Sequence, residues 1–369
     1  MITEKTLYVG HEPNHLVCEP FYRKAPNGEH FIVFQSGGRT EPSNSNVLFV
    51  IHSPDKGESW SEPHQIFSTQ GKGTWCSEVF VDEDKITAFI YEVNEDDSFS
   101  ELRSFRSYSY DNGYTWTERE AFGEFHERCN MRQRIILSNG NWVIPYCYTE
   151  RVSTMEDEIQ DEYSVLKRPR FRYFVRNFIY RCGVLISTDR GRSFQKYIVP
   201  ADEHHKFLWE PNCIELSNGD VVMYMRNEFN GWIWQSISHD GGHTWSKAEQ
   251  TQIPDAAVKM RLLKLQDGRI LLFCHPNPTI KPDKAWLMEN CRLLRHPIEI
   301  WISDHDLKTW DKKINIQNLT AQRNTDRIDA YNYPDGFVDE LDKKIYIAVD
   351  LNRNELVMFV IPFEDTNKE

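Results

Sequence analysis

The chain has 369 residues, with 43 Lys and Arg against 56 Asp and Glu. Its formal charge of -13 excludes nucleic acid as a partner, because phosphate binding needs a basic surface. Hydrophobic residues at 40% and aromatics at 13% exclude a disordered chain and suit a large β-rich core.

In chain order, the opening MITEKTLYVGHEPNH has neither the basic nor the apolar region of a secretory leader, so a cytoplasmic location is expected. No apolar run reaches the roughly 18 residues of a membrane helix, and no membrane partner is expected. Cysteines at 18, 76, 129, 147, 182, 213, 274 and 291 are scattered without CxxC or zinc-type spacing. They read as reduced core thiols, with no metal or other cofactor.

A strand–turn–strand unit then recurs six times: CEPFYRKAPNGEHFIVFQ, CSEVFVDEDKITAFIYE, MRQRIILSNGNWVIPYC, EPNCIELSNGDVVMYMR, KMRLLKLQDGRILLFCH and YPDGFVDELDKKIYIAVD. The first five units are each followed by a third strand and by a second motif, Ser-x-Asp-x-Gly-x-(Ser/Thr)-(Trp/Phe). This motif reads SPDKGESW at 53–60, SYDNGYTW at 109–116, STDRGRSF at 187–194 and SHDGGHTW at 238–245. A fifth copy, SDHDLKTW at 303–310, has His305 and Leu307 where Asp and Gly belong. The motif has the chemistry of a hairpin turn: Asp accepts backbone N–H groups, Gly supplies positive φ and the aromatic buries itself between sheets. Repeats at intervals of some tens of residues predict an all-β, six-bladed propeller across 1–369 as a single domain. The sixth unit is followed only by ELVMFVIP, so KTLYVG near the N-terminus is expected to supply the last blade's outer strand and close the ring.

Two insertions interrupt the rhythm. Residues 149–180 carry an acidic run from Glu156 to Glu162 and then KRPRFRYFVR, read as a short helix and an extended arm. Residues 279–294, with KAWLMENCRLL, read as an amphipathic helix. Either is a subunit contact or a cap over substrate, and an oligomer through them is possible.

In a propeller the first strands line the axis, so equivalent positions converge. Counting nine residues back from the turn glycines Gly28, Gly140, Gly219 and Gly268 gives Glu19, Met131, Glu210 and Lys259; the glycine-free units place Trp75 and Tyr333 there. Seven residues past the same glycines stand Gln35, Cys147, Arg226 and His275. Glu19 and Glu210 would be a carboxylate pair fit for glycoside hydrolysis. Against this, Glu210 with Lys259 is equally a strand-end ion pair, Arg226 a tie between blades and Tyr333 a filler of the axis. Trp75, Trp209 and Trp232 offer sugar-stacking faces or simple packing. His204 and His205, beside Asp202 and Glu203, are a metal site or a solvated turn.

The second motif resembles the Asp-boxes of the sialidase (neuraminidase) superfamily, whose members are six-bladed propellers. The resemblance implies an exo-acting glycoside hydrolase for a terminal, possibly acidic, sugar, with carbohydrate as partner. LWEPNCIELSNGDVVMYMRN resembles the segment carrying the glutamate that activates a tyrosine nucleophile and an arginine of the carboxylate-gripping cluster, which implies Glu210 and Arg226. RHPIEIWIS implies Arg295 as another arginine, and AYNYPDGFVDE implies Tyr333, or Tyr331, as the nucleophile. Two departures stand out. The family's Arg-Ile-Pro reads Cys18-Glu19-Pro20, which weakens carboxylate recognition by about 1.5–3 kcal/mol. The acid/base loop SGGRTEPSNSNVLFV holds no Asp, only Glu41, with Arg39 as a further substrate-binding candidate. A non-catalytic glycan-binding propeller and a uronate-directed lyase therefore stand beside the hydrolase.

Overall fold

The computed structural model describes residues 1–96, 102–125, 129–154, 160, 164, 169–201, 207–228, 230–277, 279–280, 294–317 and 328–366. Strand β1 (Thr3–Val9) comes first in the chain but belongs to the last sheet. The first blade is β2 (Cys18–Lys24), β3 (His30–Ser36), β4 (Val47–Ser53) and β5 (His64–Phe67). The second is β6 (Gly73–Val81), β7 (Ile86–Val93), β8 (Arg103–Ser109) and β9 (Glu120–Ala121). In the third, β10 (Cys129–Met131) and β11 (Ile135–Ile136) share the inner edge beside β12 (Trp142–Arg151), β13 (Phe178–Ser187) and β14 (Gln195–Ile198). The fourth is β15 (Leu208–Glu215), β16 (Val221–Asn227), β17 (Trp232–Ser238) and β18 (Glu249–Pro254). The fifth is β19 (Arg261–Lys264), β20 (Ile270–Cys274), β21 (Glu299–Ser303) and β22 (Lys312–Asn315). The sixth is β23 (Tyr331–Asp339), β24 (Lys344–Leu351) and β25 (Glu355–Pro362), and β1 pairs antiparallel with β25 to complete it. The six-bladed propeller and its closure by the N-terminal strand are thus as the repeats predict.

The blades are held by apolar clusters between neighbouring sheets. Strand β20 shows why its sequence, ILLFC, is apolar throughout rather than alternating. Ile270, Leu272 and Cys274 pack toward the fourth blade with Ile214 and Val222, while Leu271 and Phe273 pack toward the sixth with Ile345 and Val357. A strand covered on both faces has no solvent side to make polar. Equivalent clusters fill the other interfaces, and the one joining Tyr22 and Ile32 of the first blade to Tyr346 and Met358 of the sixth shuts the ring.

Each intact Asp-box is a closed hydrogen-bond cycle. In the first, Gly57 N donates to Ser53 Oγ at 2.7 Å, Ser59 N and Oγ donate to Asp55 at 2.8 and 2.5 Å, and Trp60 Nε1 donates to Gly57 O at 3.1 Å. Gly57 stands at φ 97°, where a side chain is strained. The decayed copy keeps the turn by other means. Leu307 takes a left-handed φ of 64° and donates from its N to Ser303 Oγ at 3.0 Å. Asp311, downstream, accepts from Asp304 N at 3.0 Å and Thr309 Oγ1 at 2.8 Å in place of the missing Asp.

The insertion in the third blade is shorter than the sequence reading made it, because β12 and β13 stay paired out to Arg151 and Phe178. Between them, the basic segment forms the helix α1 (Pro169–Asn177). Most of the acidic run and the expected helix around Trp286 lie outside the described residues.

Candidate functional site

Three of the inner strands share a local device that follows from sequence. In β2, β15 and β23 the pairs Glu19-Pro20, Glu210-Pro211 and Tyr333-Pro334 each interrupt the ladder with a register shift. Proline has no N–H to give the neighbouring strand, so the ladder breaks there. The residue before it stands in the left-handed region, with φ of 48°, 46° and 54° for Glu19, Glu210 and Tyr333. A non-glycine residue in that region costs about 1–2 kcal/mol, and such outliers cluster at functional sites.

The side chains so placed meet across the axis. Glu19 Oε1, from the first blade, accepts from Arg132 Nη1 and Nη2 at 3.0 and 3.1 Å, and from Lys259 Nζ at 3.3 Å. These partners come from the third and fifth blades, which touch the first only through the centre. Arg132 Nη2 lies 3.3 Å from Glu210 Oε1, and Glu210 Oε2 accepts from Arg226 Nη1 at 2.7 Å. Arg226 Nη2 in turn donates to Glu228 at 2.7 Å, and its guanidinium lies 4.7 Å over the Trp209 ring. Arg295 and Lys259 stand 5.2 and 5.9 Å from the centre of the Tyr333 ring. Arg295 is also fixed from behind, donating to Ala257 O at 2.9 Å and Asn332 Oδ1 at 3.2 Å. On the rim, Glu41 is ion-paired with Arg353 and accepts from Cys18 Sγ at 3.6 Å.

Charge sets the protonation states. Burial alone would raise Glu210, but Arg226 and then Arg132 hold its carboxyl at about 2. Burial pushes the Tyr333 phenol up to about 12, with Arg295 opposing and Glu41 adding to the rise. Asp255 is buried without a partner on Oδ1 among the described residues, while Oδ2 accepts from Val258 N at 3.3 Å. Burial raises it to about 7 despite Arg226.

Residues 28–345 match the BNR repeat-like domain. The chain belongs to that family. No curated protein matches it. Among solved structures, this BNR repeat-like propeller is similar to a protein of unknown function from Dyadobacter fermentans DSM 18053, at 17% identity and a TM-score of 0.69, covering 98% of this chain and 99% of the other. It is similar to the Hadza microbial sialidase Hz136 at 13% identity and a TM-score of 0.70, covering 98% and 69%. It is also similar to Trypanosoma rangeli sialidase in complex with the inhibitor DANA, at 12% identity and a TM-score of 0.67, covering 99% and 60%. At these identities the likeness carries the fold.

Within the BNR repeat-like propeller, six sequence-derived candidates, Glu19, Glu210, Tyr333, Arg226, Arg295 and Lys259, fall in one cluster. Lys259 pairs with Glu19 rather than making the expected bond to Glu210. Trp75 donates to Asn46 Oδ1 at 3.0 Å and packs on Tyr91, whose phenol feels the charges of Glu19 and Arg132. Arg39 is exposed and ion-paired with Glu12. Tyr331 is fully buried in the interface between the fifth and sixth blades. His204 and His205 lie outside the described residues. Sequence counting missed Arg132. The glycine offset selects Met131, which is buried in the interface with the second blade, because the inner edge of the third blade is split between β10 and β11 and Arg132 stands in the gap. Arg353 gave no signal beyond a turn, and Asn352 and Arg353 do both take positive φ between β24 and β25.

The raised Asp255 has a measurable consequence. Its folded value of about 7 lies above the usual 3.8, so the folded state binds more protons than the unfolded between those limits. The contribution of Asp255 to stability is therefore full below about 4 and is lost as pH rises through 7. Asp255→Asn is expected to flatten that slope and raise the melting temperature at pH 8, read by thermal scans from pH 4 to 8.

Proposed function

We propose that this BNR repeat-like propeller is an exo-acting glycoside hydrolase that removes a terminal neutral sugar, with Tyr333 as its nucleophile. The observation that carries this reading is the convergence of Tyr333 with Arg295 and Lys259. Two cations beside the ring stabilise the phenolate character that the Tyr333 oxygen gains as it attacks an anomeric carbon. As the Tyr333 oxygen bonds the anomeric carbon, its proton passes to the Glu41 carboxylate, whose charge acts on Tyr333, and from there to the leaving oxygen as the bond to the aglycone breaks. Glu210, held at about 2, is too weak a base to take a phenol proton and instead fixes Arg226.

The neutral character follows from the partners of the guanidinium groups. Arg132, Arg226 and Arg353 each already carry an internal carboxylate, and Glu19 stands where the resemblance calls for an arginine. A sugar carboxylate entering here would have to displace buried pairs and face Glu19. Hydroxyl groups, which both donate and accept, can join such a network without breaking it. Paired aryl glycosides that differ only in a hydroxymethyl or carboxylate group test this. Turnover is expected for the neutral member and at least tenfold less for the acid; absence of turnover for every glycoside removes the hydrolase reading.

A second reading is a glycan-binding propeller that leaves its ligand intact, favoured by the engagement of Glu41 with Arg353. Recovery of a bound oligosaccharide unchanged would support it, and a cleaved product would reject it.

A further inference from the structure

Glu41 stands in the loop from Gly37 to Asn46, which begins where the pairing of β3 with β4 ends at Ser36 and Val47. Such a loop has few ladder bonds to fix it, so its shape rests on side chains. Asn46, fully buried, closes it. Its Nδ2 donates to Gly37 O at 2.8 Å and to Thr40 O at 3.0 Å, while its Oδ1 accepts from Ser43 N at 2.8 Å and from Trp75 Nε1 at 3.0 Å. A carboxamide has two N–H donors and two lone pairs on its oxygen, so every bond it can make is made. Thr40 O precedes Glu41 and Ser43 N follows Pro42. The amide thus grips the backbone on both sides of Glu41.

The second blade completes the hold. Thr74 N, in β6, donates to Asn46 O at 2.9 Å. Asn44 and Glu95 exchange bonds, Asn44 N to Glu95 Oε2 at 2.9 Å and Glu95 N to Asn44 Oδ1 at 3.0 Å. Gly73 begins β6 directly against the loop. A Cβ there would stand 2.5 Å from Ser43 O, a backbone atom, so this close approach requires glycine. Trp75, a sugar-stacking candidate by sequence, is buried and serves instead as a donor to Asn46. What the fixed backbone delivers is the Glu41 carboxylate, with Arg353 on Oε1 and the Cys18 thiol on Oε2. Cys18 in turn packs in one apolar cluster with Tyr333.

We infer that Asn46 is a positioning residue for the proton transfer assigned to Glu41: its carboxamide and its anchors on the second blade hold the Glu41 backbone so that the carboxylate stays beside Tyr333. The inference rests on the hydrolase reading above. The residue type is exacting. Aspartate at this position would turn an oxygen toward the carbonyls of Gly37 and Thr40 in place of the two donors, and alanine would leave Thr40 O and Ser43 N without the amide. Misplacing a reacting group by about 1 Å costs on the order of 10²-fold in rate, and proton transfer requires hydrogen-bond distance. The four bonds of the amide all go to the loop and to Trp75, so Asn46 acts on Glu41 rather than on the chain of charges from Lys259 to Glu228.

Two neutral glycosides that differ only in their leaving group, phenyl and 2,4-dinitrophenyl, test it on the full chain. Dinitrophenolate departs without a proton, whereas phenolate, the poorer leaving group, needs one. In Asn46→Ala, kcat/KM is expected to fall about 10²-fold on the phenyl glycoside and at least tenfold less on the dinitrophenyl one. Loss of folded protein would lower both alike. Gly73→Ala displaces the Ser43 carbonyl from the second blade while sparing Asn46 and Glu41, and the same split is expected, several-fold in size. Hydrogen exchange read by mass spectrometry follows the clamp without turnover: exchange over residues 37–46 is expected to quicken at least tenfold in Asn46→Ala, with β2 unchanged. Unchanged exchange, or equal losses on the two glycosides in both variants, overturns the inference. A parent that cleaves neither glycoside while exchange responds as expected sinks the hydrolase reading, and the transfer step with it, but leaves the clamp.

Discussion

Tyr333→Phe is expected to lower kcat on the best neutral aryl glycoside by about 10³-fold or more, while leaving the fold intact. The expectation rests on what the substitution keeps. Phenylalanine preserves the ring that Arg295 and Lys259 approach at 5.2 and 5.9 Å, and it removes only the oxygen that would attack. Loss of a reacting group acts on the chemical step at this scale, whereas loss of a packing contact does not. A phenol pushed up to about 12 is neutral throughout the ordinary pH range, so the deficit should not vary between pH 6 and 8. Steady-state kinetics of the two proteins, with circular dichroism as the check on folding, read the result. Retention of more than about a tenth of kcat by the variant removes Tyr333 from the reacting position.

Arg132→Met is expected to destabilise the propeller by about 3–5 kcal/mol at pH 7, because it strips a partner from two buried carboxylates at once. Among the described residues Glu19 then keeps Lys259 as its cation, and Glu210 keeps Arg226. The pH dependence carries a sign. Glu210 is held at about 2, below its usual 4.5, so its contribution to stability is fully present above about 4.5 and is lost as pH falls toward 2. The gap between the parent and Arg132→Met is accordingly widest at neutral pH and narrows between pH 4.5 and 2. Urea midpoints of both proteins at several pH values measure it. A gap that stays constant through that window would mean that Arg132 acts by packing rather than by charge.

The two substitutions address different parts of one arrangement. Tyr333 is flanked by cations, whereas Arg132 holds together carboxylates from the first and fourth blades. The cluster is a chain of alternating charge, Lys259 to Glu19 to Arg132 to Glu210 to Arg226 to Glu228. Such a network orients hydroxyl groups well and already fills the Arg132 and Arg226 forks with internal carboxylates, which is the physical basis for a neutral substrate.

Sequence alone determined the number of blades, the closure by KTLYVG and those residues of the upper mouth that keep a fixed offset from a turn glycine, since turn chemistry and strand burial are local rules. Glu19, Glu210 and Lys259 were legible because each stands nine residues before a turn glycine, and Tyr333 through its place in the sixth unit and the resemblance of its segment. Arg132 was not, because the inner edge of the third blade breaks between β10 and β11, and the offset counted from Gly140 lands on Met131. Only the tertiary structure decided which charges meet. Glu19 finds Lys259 across 240 positions of sequence and Arg132 across 113, and Glu41 finds Arg353 because the first and last blades adjoin. Pairings through a shared axis depend on the ring closing, and no local pattern in the chain encodes them.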